Sequence, residues 1–136
     1  MKKWIGIIGG IVIISILIVT LNSTQSLKIS DDNITAIMIN TQPESEKYSR
    51  VYRDTEKINK IVGYLNEISL KGTFTENPDY YVGMTYIINI SYADGSQNIV
   101  YHFGNMFIRL KEGEWKRMTY NQAQKLDKLI QDNPSD

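Results

Sequence analysis

The sequence predicts an α+β fold: an N-terminal transmembrane helix followed by a small domain ordered β-α-β-β-β-β-α, an antiparallel sheet with helices on one face. Three observations predict it. Residues Ile5 to Leu21 run without a charge. The stretch Tyr86 to Phe103 alternates apolar and polar residues on both sides of Asp94-Gly95, the mark of two paired strands. Two further segments repeat apolar residues at helical spacing, one beginning near Asp54 and one near Thr119.

The apolar run, IGIIGGIVIISILIVTL, spans roughly 25 Å as a helix, near the thickness of a bilayer core. Lys2 and Lys3 precede it as cations that stay in the cytoplasm, Trp4 suits the interface, and no acidic residue occurs before Asp31. Residues 1–4 are therefore expected inside, 5–21 as the anchor in the lipid bilayer, 22–33 as a polar tether and 34–133 as the extracytoplasmic domain. A cleaved signal peptide shares the positive start, but its apolar stretch is usually shorter and ends at small residues. Here no alanine lies near the junction, and Thr24-Gln25-Ser26 is a poor cleavage pattern. Gly6 and Gly10 form a small-xxx-small pair through which two anchors can pair as a homodimer, although glycine is common in membrane helices without that role.

The chain has no cysteine, which excludes lipid attachment at a signal junction and leaves the domain to stand on its core alone. The first 26 residues hold Lys2 and Lys3 and no acid; the 110 that follow hold 13 basic and 15 acidic residues, a net charge of −2. That length suits one domain, and that balance offers nucleic acid no basic face. The 21 Ile, 11 Lys and 11 Asn, against four Arg and three Ala, are a bias of AT-rich codons and point to a low-GC bacterium.

Each element follows from local chemistry. Ile34 to Ile39 is a compact β-prone run, and Asn40 to Arg50, with Pro43 among polar residues, reads as an exposed loop. Asp54 or Thr55 can cap a helix whose Ile58, Ile61, Val62, Leu65 and Ile68 form one stripe, with Gly63 inside it for close packing on the sheet and Gly72 at its end. Thr73 to Gly83 contains Pro78 and reads as a loop. Beyond it, Tyr86, Ile88, Ile90 and Tyr92 share one side of a strand, and Ile99, Tyr101 and Phe103 share a face of the return strand. Met106 to Leu110 and Trp115 to Met118 read as two more strands around Glu112-Gly113. Thr119 and Gln122 then fit a capping box, opening a helix with Tyr120, Ala123, Leu126 and Ile130 on its stripe.

Chemistry is sparse. His102 is the only histidine, with no nucleophile beside it in sequence, and one imidazole does not make a zinc site. Carboxylates pair at Asp31/Asp32, Glu44/Glu46, Asp54/Glu56, Glu76/Asp79 and Glu112/Glu114, but none falls in a calcium-loop pattern, and each has a simpler place at a turn, loop or helix start. No catalytic set, metal ligand set or cofactor motif is read. The remaining signal is aromatic: Tyr80 and Tyr81, adjacent in a loop before the hairpin, suit a protein partner or a glycan, while most other tyrosines complete a small core.

The lysine-led anchor, the strand ITAIMIN, the helix DTEKINKIVGYLNEI and the hairpin YIINISYADGSQNIVYHF together make the chain similar to the uncharacterised small membrane-anchored or lipid-anchored extracytoplasmic proteins of low-GC Gram-positive bacteria. It departs from the lipid-anchored members in lacking cysteine. That resemblance implies no activity. The expectation is a membrane-tethered, non-enzymatic binding module with a membrane or envelope protein as partner. Two alternatives are a small cell-envelope hydrolase, which needs His102 beside a carboxylate in a cleft, and a secreted effector or inhibitor, which needs cleavage near Ser26.

Overall fold

A hairpin at Asp94-Gly95 lies at the centre of the sheet in the computed structural model, which describes residues 25–72, 77–104, 106–111 and 113–136. Strands β1 (Ile34–Gln42), β2 (Arg50–Tyr52), β3 (Thr85–Tyr92), β4 (Gln97–Phe103), β5 (Phe107–Leu110) and β6 (Lys116–Arg117) form one antiparallel sheet ordered β2-β1-β3-β4-β5-β6. Helices α1 (Thr55–Glu67) and α2 (Tyr120–Asp132) pack on one face of it, giving the α+β fold expected. The anchor 5–21 with Gly6 and Gly10, and residues 1–4, lie outside the described residues. Among the described residues no helix is long and apolar enough to cross a membrane.

The hairpin turns because Gly95 adopts φ +84°. Its N–H donates to the Tyr92 carbonyl at 3.0 Å, as does the Tyr92 N–H to the Ser96 carbonyl, so a β-turn is followed by one left-handed residue. The Asp94 carboxylate accepts from the Ser96 hydroxyl and amide, which hold its pKa below the usual carboxylate value. Register then assigns faces: Tyr86 pairs with His102 and Ile88 with Val100. Val100 and His102 therefore lie in the core, and Ile99, Tyr101 and Phe103 lie on the face that carries no helix.

The core is mostly isoleucine and leucine. Ile37, Ile39, Ile88, Ile90 and Ile108 from the sheet meet Ile61, Leu65, Leu126 and Ile130 from the helices, all fully buried. Each such side chain contributes about 1.5–3 kcal/mol relative to exposure. Asp54 caps α1, accepting from the Lys57 amide at 3.0 Å. The Thr119/Gln122 capping box at α2 is formed in both directions, at 3.2 and 2.9 Å. Tyr64 ties the helices together by donating from its hydroxyl to the Gln122 carbonyl at 2.9 Å.

Several expectations are corrected. The segment read as an exposed loop ends in β2, a strand too short to show a pattern, so the order is β-β-α-β-β-β-β-α. Ser135 and Asp136 dock on it: the Val51 amide donates to the Ser135 hydroxyl at 3.0 Å and the Val51 carbonyl accepts from the Asp136 amide at 3.1 Å. The segment read as tether is bound to the domain from Gln25 onward. Gln25 exchanges two backbone hydrogen bonds with Leu70, Leu27 and Ile29 are buried, and the Asn66 side chain bonds both backbone groups of Ile29 at 2.7 and 2.8 Å. Two apolar residues among polar ones are too few to show as a period. Helix α1 stops at Glu67 rather than at Gly72, because Leu70 and Lys71 run on as an extended segment bonded to Gln25 and Arg117. Gly63 does not face the sheet: it is exposed, and a Cβ there would meet nothing within 4 Å. Tyr120, at the first turn of α2, is 52% exposed rather than part of the buried stripe.

Candidate functional site

The face without helices is where this fold leaves side chains available. Register places Val51, Met38, Asn89 and Ile99 in one row across it, and Asn40, Ile87, Tyr101 and Arg109 in the next. Beyond these rows Phe103 and Phe107 pair and are buried, because the loop ahead of β3 folds over them. A Cβ on Gly83 would stand 2.9 Å from the Phe103 ring, so only glycine lets the loop pass this close.

Arg109 ends the second row, on β5 beside Tyr101. Its guanidinium lies 5.0 Å from the Tyr101 ring centre and 4.6 Å from that of Trp115, held between two π faces. Trp115 is fixed in turn: its indole N–H donates to Asp79 at 3.0 Å, and its ring lies 6.3 Å from Phe103. Asp79 also approaches Arg109 at 4.0 Å. Its amide donates to the Asn77 side chain at 3.0 Å within a short helical turn over Pro78–Tyr80. A cleft of about 370 Å³ opens beside this group, lined by Gly72, Asp79, Arg109, Glu114 and Trp115 among others. Among the described residues, neither Arg109 Nε nor the buried Asn89 Oδ1 on the same face has a hydrogen-bond partner.

The two tyrosines singled out in the sequence sit at the rim of this surface and differ from each other. Tyr81 is half-exposed and leans on the Phe107 ring at 6.5 Å. Tyr80 is 85% exposed and Val82 is fully exposed, so the loop ends in an apolar tip standing in solvent. Nothing in the local sequence singles out Arg109 or Trp115. The available signal was a mid-strand arginine two positions from Phe107, which a correct strand register would have set opposite Tyr101.

His102 does meet a carboxylate, but not in a cleft. Its ring is wholly buried beneath α2, with Nδ1 at 3.2 Å from the Phe107 carbonyl and Nε2 at 3.1 Å from Asp127. Both partners are acceptors, so the ring donates to both when it carries two protons. Tyr86 stacks on it at 5.8 Å with ring planes 10° apart. Burial first, and the Asp127 charge second, raise the Tyr86 hydroxyl pKa above its ordinary value, while a hydrogen bond with Gln131 lowers it. With both nitrogens engaged and no exposed ring atom, the imidazole fastens α2 to the sheet and offers nothing to a substrate. Among the described residues no three His, Asp or Glu side chains gather as a metal site. Asp54 serves as a helix cap and Asp79 as a tryptophan acceptor.

Compared with models of known protein families, with curated protein sequences and with solved structures, the chain matches none.

Proposed function

We propose that the chain is a membrane-tethered, extracytoplasmic binding module, held on a bacterial cell by residues 5–21, that recognises a membrane or envelope protein through the helix-free face of its sheet. The carrying observation is Arg109, fixed between Tyr101 and Trp115 on the β5 side of a half-exposed sheet face. A guanidinium already ordered by two rings loses little freedom on binding and presents donors suited to a partner carboxylate. Beyond Tyr101 the face continues through Ile87 and Ile99 to Met38 as partly exposed apolar surface, and Tyr81 stands at the rim, so an aromatic and arginine anchor adjoins a field of lesser contacts. The uncharged run and its lysines support the tether.

The test is crosslinking on intact cells with tagged full-length protein, comparing wild type with Arg109→Ala and Tyr81→Ser. A discrete envelope partner that is recovered with wild type and lost with Arg109→Ala supports the module. Equal recovery with the variants, or no partner, overturns it. The mature N-terminus from the same preparation separates the tethered protein from a secreted one.

A further inference from the structure

The point where the chain joins the domain is linked to the exposed loop tip through a short run of contacts. The Gln25 side-chain oxygen accepts from Lys116, and it lies 4.0 Å from where a Cβ on Gly72 would stand. Trp115 precedes Lys116 and is bonded to Asp79, which precedes Tyr80. Gly72, Asp79 and Trp115 line one cleft. Gln25 and the tip are thus joined through a short run of contacts along the β6 side of the sheet, whereas β2 forms the opposite edge.

Three residues, 22–24, separate the end of the uncharged run from Gln25. Fully extended, the path from Leu21 to Gln25 reaches at most about 14 Å. The headgroup layer of one leaflet takes up about 5–8 Å of that path. On the tethered reading, about 6–9 Å of path remains beyond that layer, so Gln25 stays within about that distance of the headgroups.

We propose that the loop tip formed by Tyr80 and Val82 is a second membrane contact, seated in the headgroup layer of the bilayer that holds the anchor. This rests on the tethered reading above. The chemistry of the tip fits that layer: tyrosine has an apolar ring and a polar hydroxyl, and it concentrates at membrane interfaces. Val82 adds exposed apolar surface beside Tyr80. Asp79, the nearest carboxylate in sequence, is turned back onto Trp115 and Arg109, so the tip does not lead with a negative charge. Lys71, exposed next to Gly72, suits lipid phosphates. Seated in this way, the domain is held at two points, and the helix-free face is presented to partners close to the membrane surface.

The absence of cysteine lets single introduced thiols report without interference. Full-length protein carrying Ser15→Cys, Tyr80→Cys, Val82→Cys or Arg53→Cys is labelled with a fluorophore and reconstituted into vesicles of phosphatidylcholine and phosphatidylglycerol. Quenchers are placed on the lipid tails in one set and at the headgroups in another. Tyr80, Val82 and Arg53 are all exposed, so the substitutions leave the core intact. The proposal expects position 15 to lose its signal to the tail quencher, positions 80 and 82 to lose theirs to the headgroup quencher, and position 53, beside β2, to be unchanged. If position 15 is quenched while 80 and 82 stay as bright as 53, the tip faces away from lipid. The proposal then fails with the anchor intact, and the tip returns to the protein partner. If position 15 is not quenched, the tethered reading fails and takes the proposal with it.

Discussion

Removing the Asp127 carboxylate tests whether His102 is a fastening rather than a reactive group. The imidazole is wholly buried, with acceptors at 3.2 and 3.1 Å from its two nitrogens. Asp127→Ala leaves Nε2 buried without its partner, and an unsatisfied buried polar group costs about 1–3 kcal/mol. The Asp127 side chain is 30% exposed, so water supports part of the carboxylate and a cost of about 2 kcal/mol is expected. Asp127→Asn keeps an acceptor and loses only the charge-assisted part, about 1 kcal/mol. His102→Leu removes both bonds at once. In a double-mutant cycle of Asp127→Ala with His102→Leu, a coupling of about 1–2 kcal/mol is expected, since the two groups act as one unit. Urea unfolding of the full chain in detergent, followed by tryptophan fluorescence, measures each corner. For a domain of this size, about 2 kcal/mol also lowers the melting temperature by roughly 10 °C. Additive single costs, with coupling below about 0.3 kcal/mol, would refute the fastening.

Gly63→Ala should raise stability by about 0.5–1 kcal/mol, because the position is an exposed helix interior with open space for a methyl group; a lower melting temperature for the variant would contradict this. The Asp136 carboxylate accepts from Lys57 Nζ at 2.7 Å, and from the Arg53 and Asp54 amides, which together lower its pKa to about 2. A depressed carboxylate pKa stabilises the fold fully above the ordinary value of 3.8 and progressively less as pH falls toward 2. Asp136→Asn should therefore melt below wild type at neutral pH, with the difference closing as pH falls through that window; a difference that persists at pH 2 would disprove the linkage.

What could be read without coordinates was what lies close in sequence. The Asp94-Gly95 hairpin, the Asp54 cap, the Thr119/Gln122 box and, Tyr120 apart, both apolar helix stripes depend on neighbours within about four positions, and these formed. What failed to show depends on distant pairing. β2 is three residues long and is fixed by β1 on one side and by Ser135–Asp136 on the other. Leu27 and Ile29 join the core in a segment held by distant partners, Leu70 at Gln25 and Asn66, 37 positions away, at Ile29. Alternation in β4 put His102 opposite Tyr101 and Phe103 but could not say which side the helices cover; pairing with Tyr86 decides that. Tyr80 and Tyr81 were recognisable as loop residues, whereas Arg109 acquires its setting only when the sheet brings Tyr101 beside it and a later turn returns Trp115.

The margins of the sheet bear on how such a domain meets its neighbours. At β2, the Val51 amide and carbonyl are both occupied by Ser135–Asp136; at β6, Lys71 binds Arg117, and Gln25 closes over Leu70. Among the described residues, then, neither margin offers a run of open backbone on which a foreign strand could be laid. Molecules confined to a surface collide often and in similar orientations, a setting in which open margins zip together into irreversible clusters. A chain hemmed on both sides can be crowded without that hazard, and any associate must approach it broadside, reading side chains rather than peptide groups.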